Sequence, residues 1–253
     1  MRLIIQDEFM EHIPTTHYTC DDDTPRQLLV VCHGFKGERH DVADIALSLA
    51  RHGYYVVTLD AFMHGERVSK LFSQANDQEK GELIFDIIYQ TTDDIKQIIQ
   101  MLEMRPHILC DEVGITGVSM GGMTAHLVAA THEKVSVVAD MIGTPDYLMF
   151  LTDLLGGEAL EAYADKVEII RQRNPITLYQ QQTSKAILCC HGRSDEVVPI
   201  NGVNQSYKTL ATHYKAHEAG DRVKYMKYFC KHETPSEMKR MVYRWFLTHL
   251  KPY

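Results

Sequence analysis

The sequence predicts an α/β fold: a mostly parallel, doubly wound sheet with flanking helices and a small helical cap insert. Three observations carry this. Short apolar runs recur along the chain and end at polar or glycine-containing turns. Segments of helical periodicity separate them. A Gly-x-Ser-x-Gly pentapeptide stands where one apolar run gives way to a helical segment. Strands that read as unbroken apolar runs are buried on both faces, and helices on both sides of a parallel sheet supply that cover.

Taken in order, the stretch through Thr19 predicts one or two antiparallel edge strands. Residues 27–32 (QLLVVC), 54–59 (YYVVTL), 113–118 (VGITGV), 135–142 and 185–190 (KAILCC) read as buried strands. Residues 223–229 (VKYMKYF) alternate, as a strand open on one side does. Helices are predicted between them. Residues 41–52 put Val42, Ile45, Ala46 and Leu49 on one face. Residues 81–104 do the same with Ile84, Ile88, Ile95, Ile98, Ile99 and Leu102. Residues 122–131 form a short helix of small and apolar residues, and 236–250 close the chain with Met241, Val242, Trp245, Phe246 and Leu250.

The rhythm breaks at 147–182, a long insert between the fourth and fifth of the buried strands. YLMFLTDLLGG and EALEAYADKVEIIRQRN both have helical composition, with Gly156-Gly157 as the break. At the carboxyl ends of a doubly wound sheet such an insert lies above the site, so it reads as a cap. An ordinary pair of surface helices is the alternative. The whole of 1–253 is expected to be one domain with this insert.

Composition narrows the function. The 253 residues carry a formal net charge of −8, 45% hydrophobic and 24% charged residues, the balance of a globular domain. Lysine and arginine are scattered, so no surface is expected to displace counterions from nucleic acid. No apolar run approaches the roughly 20 residues of a membrane span. The N-terminal MRLIIQDEFM has too short an apolar stretch for a secretion signal, which predicts a cytoplasmic protein. Cys32, Cys189 and Cys190 lie in strand-like runs as small hydrophobes, with Cys189 and Cys190 on opposite faces. The oligomeric expectation is a monomer or a homodimer.

The chemistry concentrates at Gly117-Val118-Ser119-Met120-Gly121. Alone the pentapeptide is weak; between a strand and a helix it is strong, because a nucleophilic serine there sits on a tight turn that exposes its hydroxyl. Flanking glycines avoid collision in that turn. The helix that follows aims its first amides at a developing oxyanion. A second donor is expected from His33-Gly34-Phe35-Lys36-Gly37. The backbone N–H of Phe35 pairs with that of Met120 in this reading. His33 precedes the nucleophile and is read as orienting nearby backbone. Lys36 is read as a solvated loop residue. A serine hydroxyl needs a base, and the base needs an orienting group. Asp195, in HGRSDEVVP after the fifth buried strand, is the candidate acid, with Glu196 as the alternative. His232, in KHETP after the last strand, is the candidate base, chosen by position from fourteen histidines. In the loop 60–67, Asp60 and Arg67 are expected to hold loops together, and Phe62 and Met63 to pack.

These motifs, HGFKG, D-AFMHGER, GVSMGG, HGRSDEVVP and KHETP, in this order, resemble the α/β-hydrolase superfamily over nearly the whole chain. More narrowly they resemble small bacterial carboxylesterases related to dienelactone hydrolases and to the catalytic domain of prolyl oligopeptidases. The resemblance implies ester hydrolysis through an acyl-enzyme, with Ser119 as nucleophile, Asp195 as acid and His232 as base, on a small-molecule ester and with neither metal nor organic cofactor. Two departures stand out. Dienelactone hydrolases proper use cysteine where this chain has Ser119. The three-glycine oxyanion loop of many lipases is missing. A thioesterase or small-peptide hydrolase on the same three residues is the alternative within enzymes, and a non-catalytic binding protein the alternative outside them.

Overall fold

The computed structural model describes residues 2–156 and 164–252. Eight strands form one sheet in the order β1-β2-β4-β3-β5-β6-β7-β8. They are β1 (Leu3–Met10), β2 (Ile13–Cys20), β3 (Arg26–Cys32), β4 (Tyr55–Leu59), β5 (Ile108–Val118), β6 (Val135–Met141), β7 (Ala186–Gly192) and β8 (Val223–Tyr228). β1 and β2 are the expected antiparallel edge, and β2 joins β4 antiparallel. From β4 to β8 every pairing is parallel. Parallel neighbours need crossovers, and helices make them.

The helices are α1 (Ala43–Arg51), α2 (Lys70–Gln74), α3 (Asp77–Glu82), α4 (Ile84–Leu102), α5 (Met120–Thr131), α6 (Tyr147–Leu155), α7 (Ala164–Gln172), α8 (Pro175–Tyr179), α9 (Ile200–Ala216) and α10 (Ser236–His249). One face of the sheet packs on Ile95, Ile98, Ile99 and Leu102 of α4, Ala125 and Val128 of α5, and Leu210 and Tyr214 of α9. The other face packs on Ile45, Ala46 and Leu49 of α1 and on Met238, Val242, Trp245 and Phe246 of α10. The sheet is therefore doubly wound, as predicted. Cys189 belongs to the first layer and Cys190 to the second, as strand alternation requires.

Three local differences from the sequence reading have physical causes. The helix expected over 81–104 is two helices that meet at Leu83. Asn76 and Glu79 form a capping box, which starts α3 as a separate unit ahead of α4. β5 begins at Ile108, five residues early, because a register shift between Gln27 and Leu29 lets β3 pair twice along it. The insert over 147–182 is α6, α7 and α8, and the part of it at 157–163 lies outside the described residues. Its last helix, α8, returns to the sheet layer: Ile176 and Tyr179 are buried with the α4–α5 core. Among the described residues no helix is long and apolar enough to cross a membrane.

Candidate active site

Ser119 lies between β5 and α5 with φ 56° and ψ −118°. A non-glycine residue there stores roughly 1–3 kcal/mol, which the neighbours must hold in place. The structure shows how. A Cβ on Gly117 would stand 2.2 Å from the Gly121 carbonyl carbon, and one on Gly121 would stand 2.4 Å from the Cys32 carbonyl oxygen. Only glycine at both positions lets α5 begin against the end of β3. The Ser119 N–H donates to Met141 O at 2.8 Å, and its carbonyl accepts from Met123 N–H at 3.0 Å. The side chain is left half-buried, open to a ligand.

Asp195 and His232 arrive from the loops after β7 and β8. His232 Nε2 lies 2.9 Å from Ser119 Oγ, and His232 Nδ1 lies 2.8 Å from Asp195 Oδ2. Asp195 Oδ1 accepts from the N–H groups of Val197 and Val198, each at 2.9 Å. Burial pushes the Asp195 carboxyl up, but the hydrogen bonds from His232 and Val198 outweigh it, and the group titrates below its ordinary range. Glu196 is exposed, while Asp195 is buried and faces the ring. Gly192 makes the meeting possible: a Cβ there would stand 2.2 Å from Lys231 O. The loops are stitched by Arg193 N–H to Tyr228 O at 2.8 Å and Ser194 N–H to Cys230 O at 3.1 Å. His191, buried beneath, donates from Nε2 to Val198 O at 2.8 Å and stiffens the acid loop.

On the other side of Ser119 stand the loops after β3 and β4. A Cβ on Gly34 would lie 3.8 Å from Ser119 Cβ, so Phe35 follows directly beside the nucleophile. Among the described residues neither Phe35 N–H nor Met120 N–H donates to a protein acceptor. His33 does orient backbone: Nε2 accepts from Ala61 N–H at 3.0 Å, so Nδ1 carries the proton to Gly34 O at 2.7 Å. His64, which the sequence reading passed over, makes the mirror pair. Its Nε2 accepts from Lys36 N–H at 2.9 Å and its Nδ1 donates to Phe62 O at 2.9 Å. Burial lowers both rings, His64 to about 4, against the opposing pull of their carbonyl partners. The Lys36 side chain pairs with exposed Asp77 at 2.7 Å.

Asp60 and Arg67 hold loops, as expected. Buried Asp60 accepts from Arg39 N–H at 2.8 Å, Arg39 Nη1 at 2.6 Å and Glu66 N–H at 2.9 Å. Arg67 Nη1 bonds Asp94 Oδ2 at 2.6 Å and Asp60 O at 3.1 Å. Phe62 and Met63 pack with Phe35, Met120 and Met123 in an apolar cluster above the sheet edge. Helix α6 adds Tyr147, Leu148, Phe150 and Leu151 to that cluster. Tyr147 also donates its hydroxyl to Met123 O at 2.8 Å, and Asp153 accepts Gly202 N–H at 3.0 Å.

One further group could offer metal ligands. His126, Asp140 and Cys189 place one donor atom each within 4.8 Å of one another. All three are buried, and burial pushes the Cys189 thiol well up, against the thiolate a metal requires. Tyr179 instead donates its hydroxyl to His126 O at 3.0 Å, which makes this a polar seam in the core.

Comparison with known proteins places this geometry in context. The model of the dienelactone hydrolase family matches residues 13–220. YitV of Bacillus subtilis, which carries an esterase name, is 24% identical over 97% of this chain and 99% of its own. The esterase YjfP of Escherichia coli is 26% identical over 78% of this chain and 80% of its own. The crystal structure of TT1662 from Thermus thermophilus superposes with a TM-score of 0.80 at 18% identity, covering 99% of each chain.

Proposed function

Because this chain belongs to the dienelactone hydrolase family, we propose that it is a serine carboxylesterase that hydrolyses short- to medium-chain carboxylic esters through an acyl-enzyme. The family makes it a hydrolase with the α/β-hydrolase fold. The finer reading rests on one observation: Asp195, His232 and Ser119 form a continuous relay at 2.8 and 2.9 Å.

Each step uses a group already placed. Ser119 Oγ attacks the ester carbonyl carbon while its proton passes to His232 Nε2. Asp195 holds the Nδ1 proton, fixes the tautomer and stabilises the imidazolium. The N–H groups of Phe35 and Met120 meet the oxyanion. Collapse of the intermediate expels the alcohol oxygen, which takes the proton back from His232. Water then gives a proton to His232 and attacks the acyl carbon; the second intermediate collapses by breaking the bond to Ser119 Oγ, which takes the proton from His232, and the acid leaves. The apolar side chains of α6, Phe35 and Met120 suit an acyl chain of modest length, with α6 and α7 of the insert as the cap over it. The reading extends to a cytoplasmic protein, a monomer or homodimer, whose partner is a small-molecule ester.

The test is hydrolysis of p-nitrophenyl acetate, butyrate and octanoate by wild type and Ser119→Ala. Expected is a loss of about 10⁴-fold or more in kcat in the variant. Retained activity would place the nucleophile elsewhere. A rate higher on the matched thioester or amide would replace the ester reading by one of those.

A further inference from the structure

His33 and His64 grip the two peptide planes on either side of Phe35. The plane between Gly34 and Phe35 is held by its carbonyl, which accepts from His33 Nδ1 at 2.7 Å and from Gly37 N–H at 3.1 Å. In a trans peptide the N–H points opposite the carbonyl, so this grip sets the direction of Phe35 N–H. The plane between Phe35 and Lys36 is held by its N–H, on His64 Nε2 at 2.9 Å. Lys36 takes a left-handed φ of 64°, a conformation that needs a restraint of this kind.

His64 is itself packed on several sides. Its ring is 2% exposed and lies 4.9 Å from Phe72, 5.4 Å from His33 and 5.6 Å from Phe35, centroid to centroid. Its Nδ1 is committed to Phe62 O. The two loops thus hold each other: the β3 loop lends His33 to Ala61, and the β4 loop lends His64 to Lys36.

We propose that His64 is a positioning residue for the oxyanion hole: by accepting Lys36 N–H it stops the Phe35 peptides from rotating and keeps Phe35 N–H aimed at the space beside Ser119 Oγ. This rests on the Ser119 esterase reading. Its contribution is to the transition state, because a ground-state ester carbonyl demands that donor less than the oxyanion does.

The experiment compares His64→Gln, His64→Asn and His64→Phe by kcat and KM on p-nitrophenyl butyrate, with near-ultraviolet circular dichroism to confirm folding. A glutamine carbonyl reaches the Nε2 position and keeps the acceptor. Asparagine is too short to reach Lys36, and phenylalanine keeps the ring without an acceptor. Expected are a loss of about 10²-fold in kcat for Asn and Phe, KM within about threefold, and recovery to within about tenfold of wild type for Gln. The proposal is overturned if folded His64→Phe keeps kcat within about threefold, or if the loss falls in KM instead. Should His64→Phe not fold, the Gln and Asn variants decide, and equal rates overturn the proposal. Ser119→Ala runs alongside. If it remains active, the esterase reading has failed; if it is inert while His64→Phe is fully active, only the role of His64 has.

Discussion

The two flanks of Ser119 use the same side chain for opposite ends. On the β7–β8 flank, His232 gives its Nδ1 proton to a carboxylate and turns Nε2 towards a hydroxyl. On the β3–β4 flank, His33 and His64 give theirs to backbone carbonyls and turn Nε2 towards amides. All three rings hold one tautomer. What differs is the partner. A hydroxyl can surrender its proton to a ring that a carboxylate stabilises as a cation, whereas a backbone amide keeps its proton and the ring is merely a clamp. The side chain of His232 is 22% exposed, and those of the clamps are sealed. In the proposed reaction histidine therefore becomes base or brace according to what faces its second nitrogen.

The sharpest way to break this contrast is to convert the reactive flank into something like the other. Asp195→Asn leaves a hydrogen-bonding group of the same shape but no charge and allows the wrong tautomer. A fall of about 10⁴-fold in kcat is expected, with the melting temperature little changed. If activity survives at a tenth of wild type or better, the carboxylate is no more than a brace and the contrast between the flanks collapses.

How much of this was readable beforehand divides along the same line. The meeting of Ser119, Asp195 and His232 was readable because each stands at the carboxyl end of a strand, in the chain order the proposed chemistry needs. His64 stands at such an end too, in HGER, but its partner is a backbone amide 28 residues away, and amides leave no mark in a sequence. Gly192 was visible only as half of a His-Gly pair; its reason, the carbonyl of Lys231 against its α-carbon, depends on how two loops cross. β3, β4, β6 and β7 were legible to within two residues at each end because burial on both faces leaves unbroken apolar runs. The break at Leu83 was not, because the apolar stripe of α4 runs on to Ile84 while the capping residues of α3 lie further back, at Asn76 and Glu79.

Acid should separate the flanks by stability. His64 and, on neighbouring β2, His17 are both pushed down to about 4, chiefly by burial. The unfolded chain binds these protons near pH 6.5, so the neutral buried rings stabilise the fold fully above that pH. The benefit is lost as pH falls towards 4, on the order of 2–3 kcal/mol for each ring by about pH 4.5. Asp195, also held low, gives way only further down. Urea unfolding of wild type and His64→Gln at pH 7 and 4.5 measures this. The variant should lose less between the two, and equal losses would show that His64 takes up its proton without cost.

The smallest expected effect concerns the neighbour of the acid. Glu196 is exposed, so Glu196→Ala should leave kcat and KM within about twofold. A large fall would mean that the loop can offer either carboxylate to His232, and that the β7–β8 flank is less firmly defined than the clamps opposite.

His232 follows β8, and among the described residues β8 pairs only with β7. The strained serine turn rests on β5 and β6, inside the sheet, whereas His232 rests on its edge. Loosening of β8 from β7 would therefore part His232 from Ser119 while leaving the turn that carries Ser119 in place.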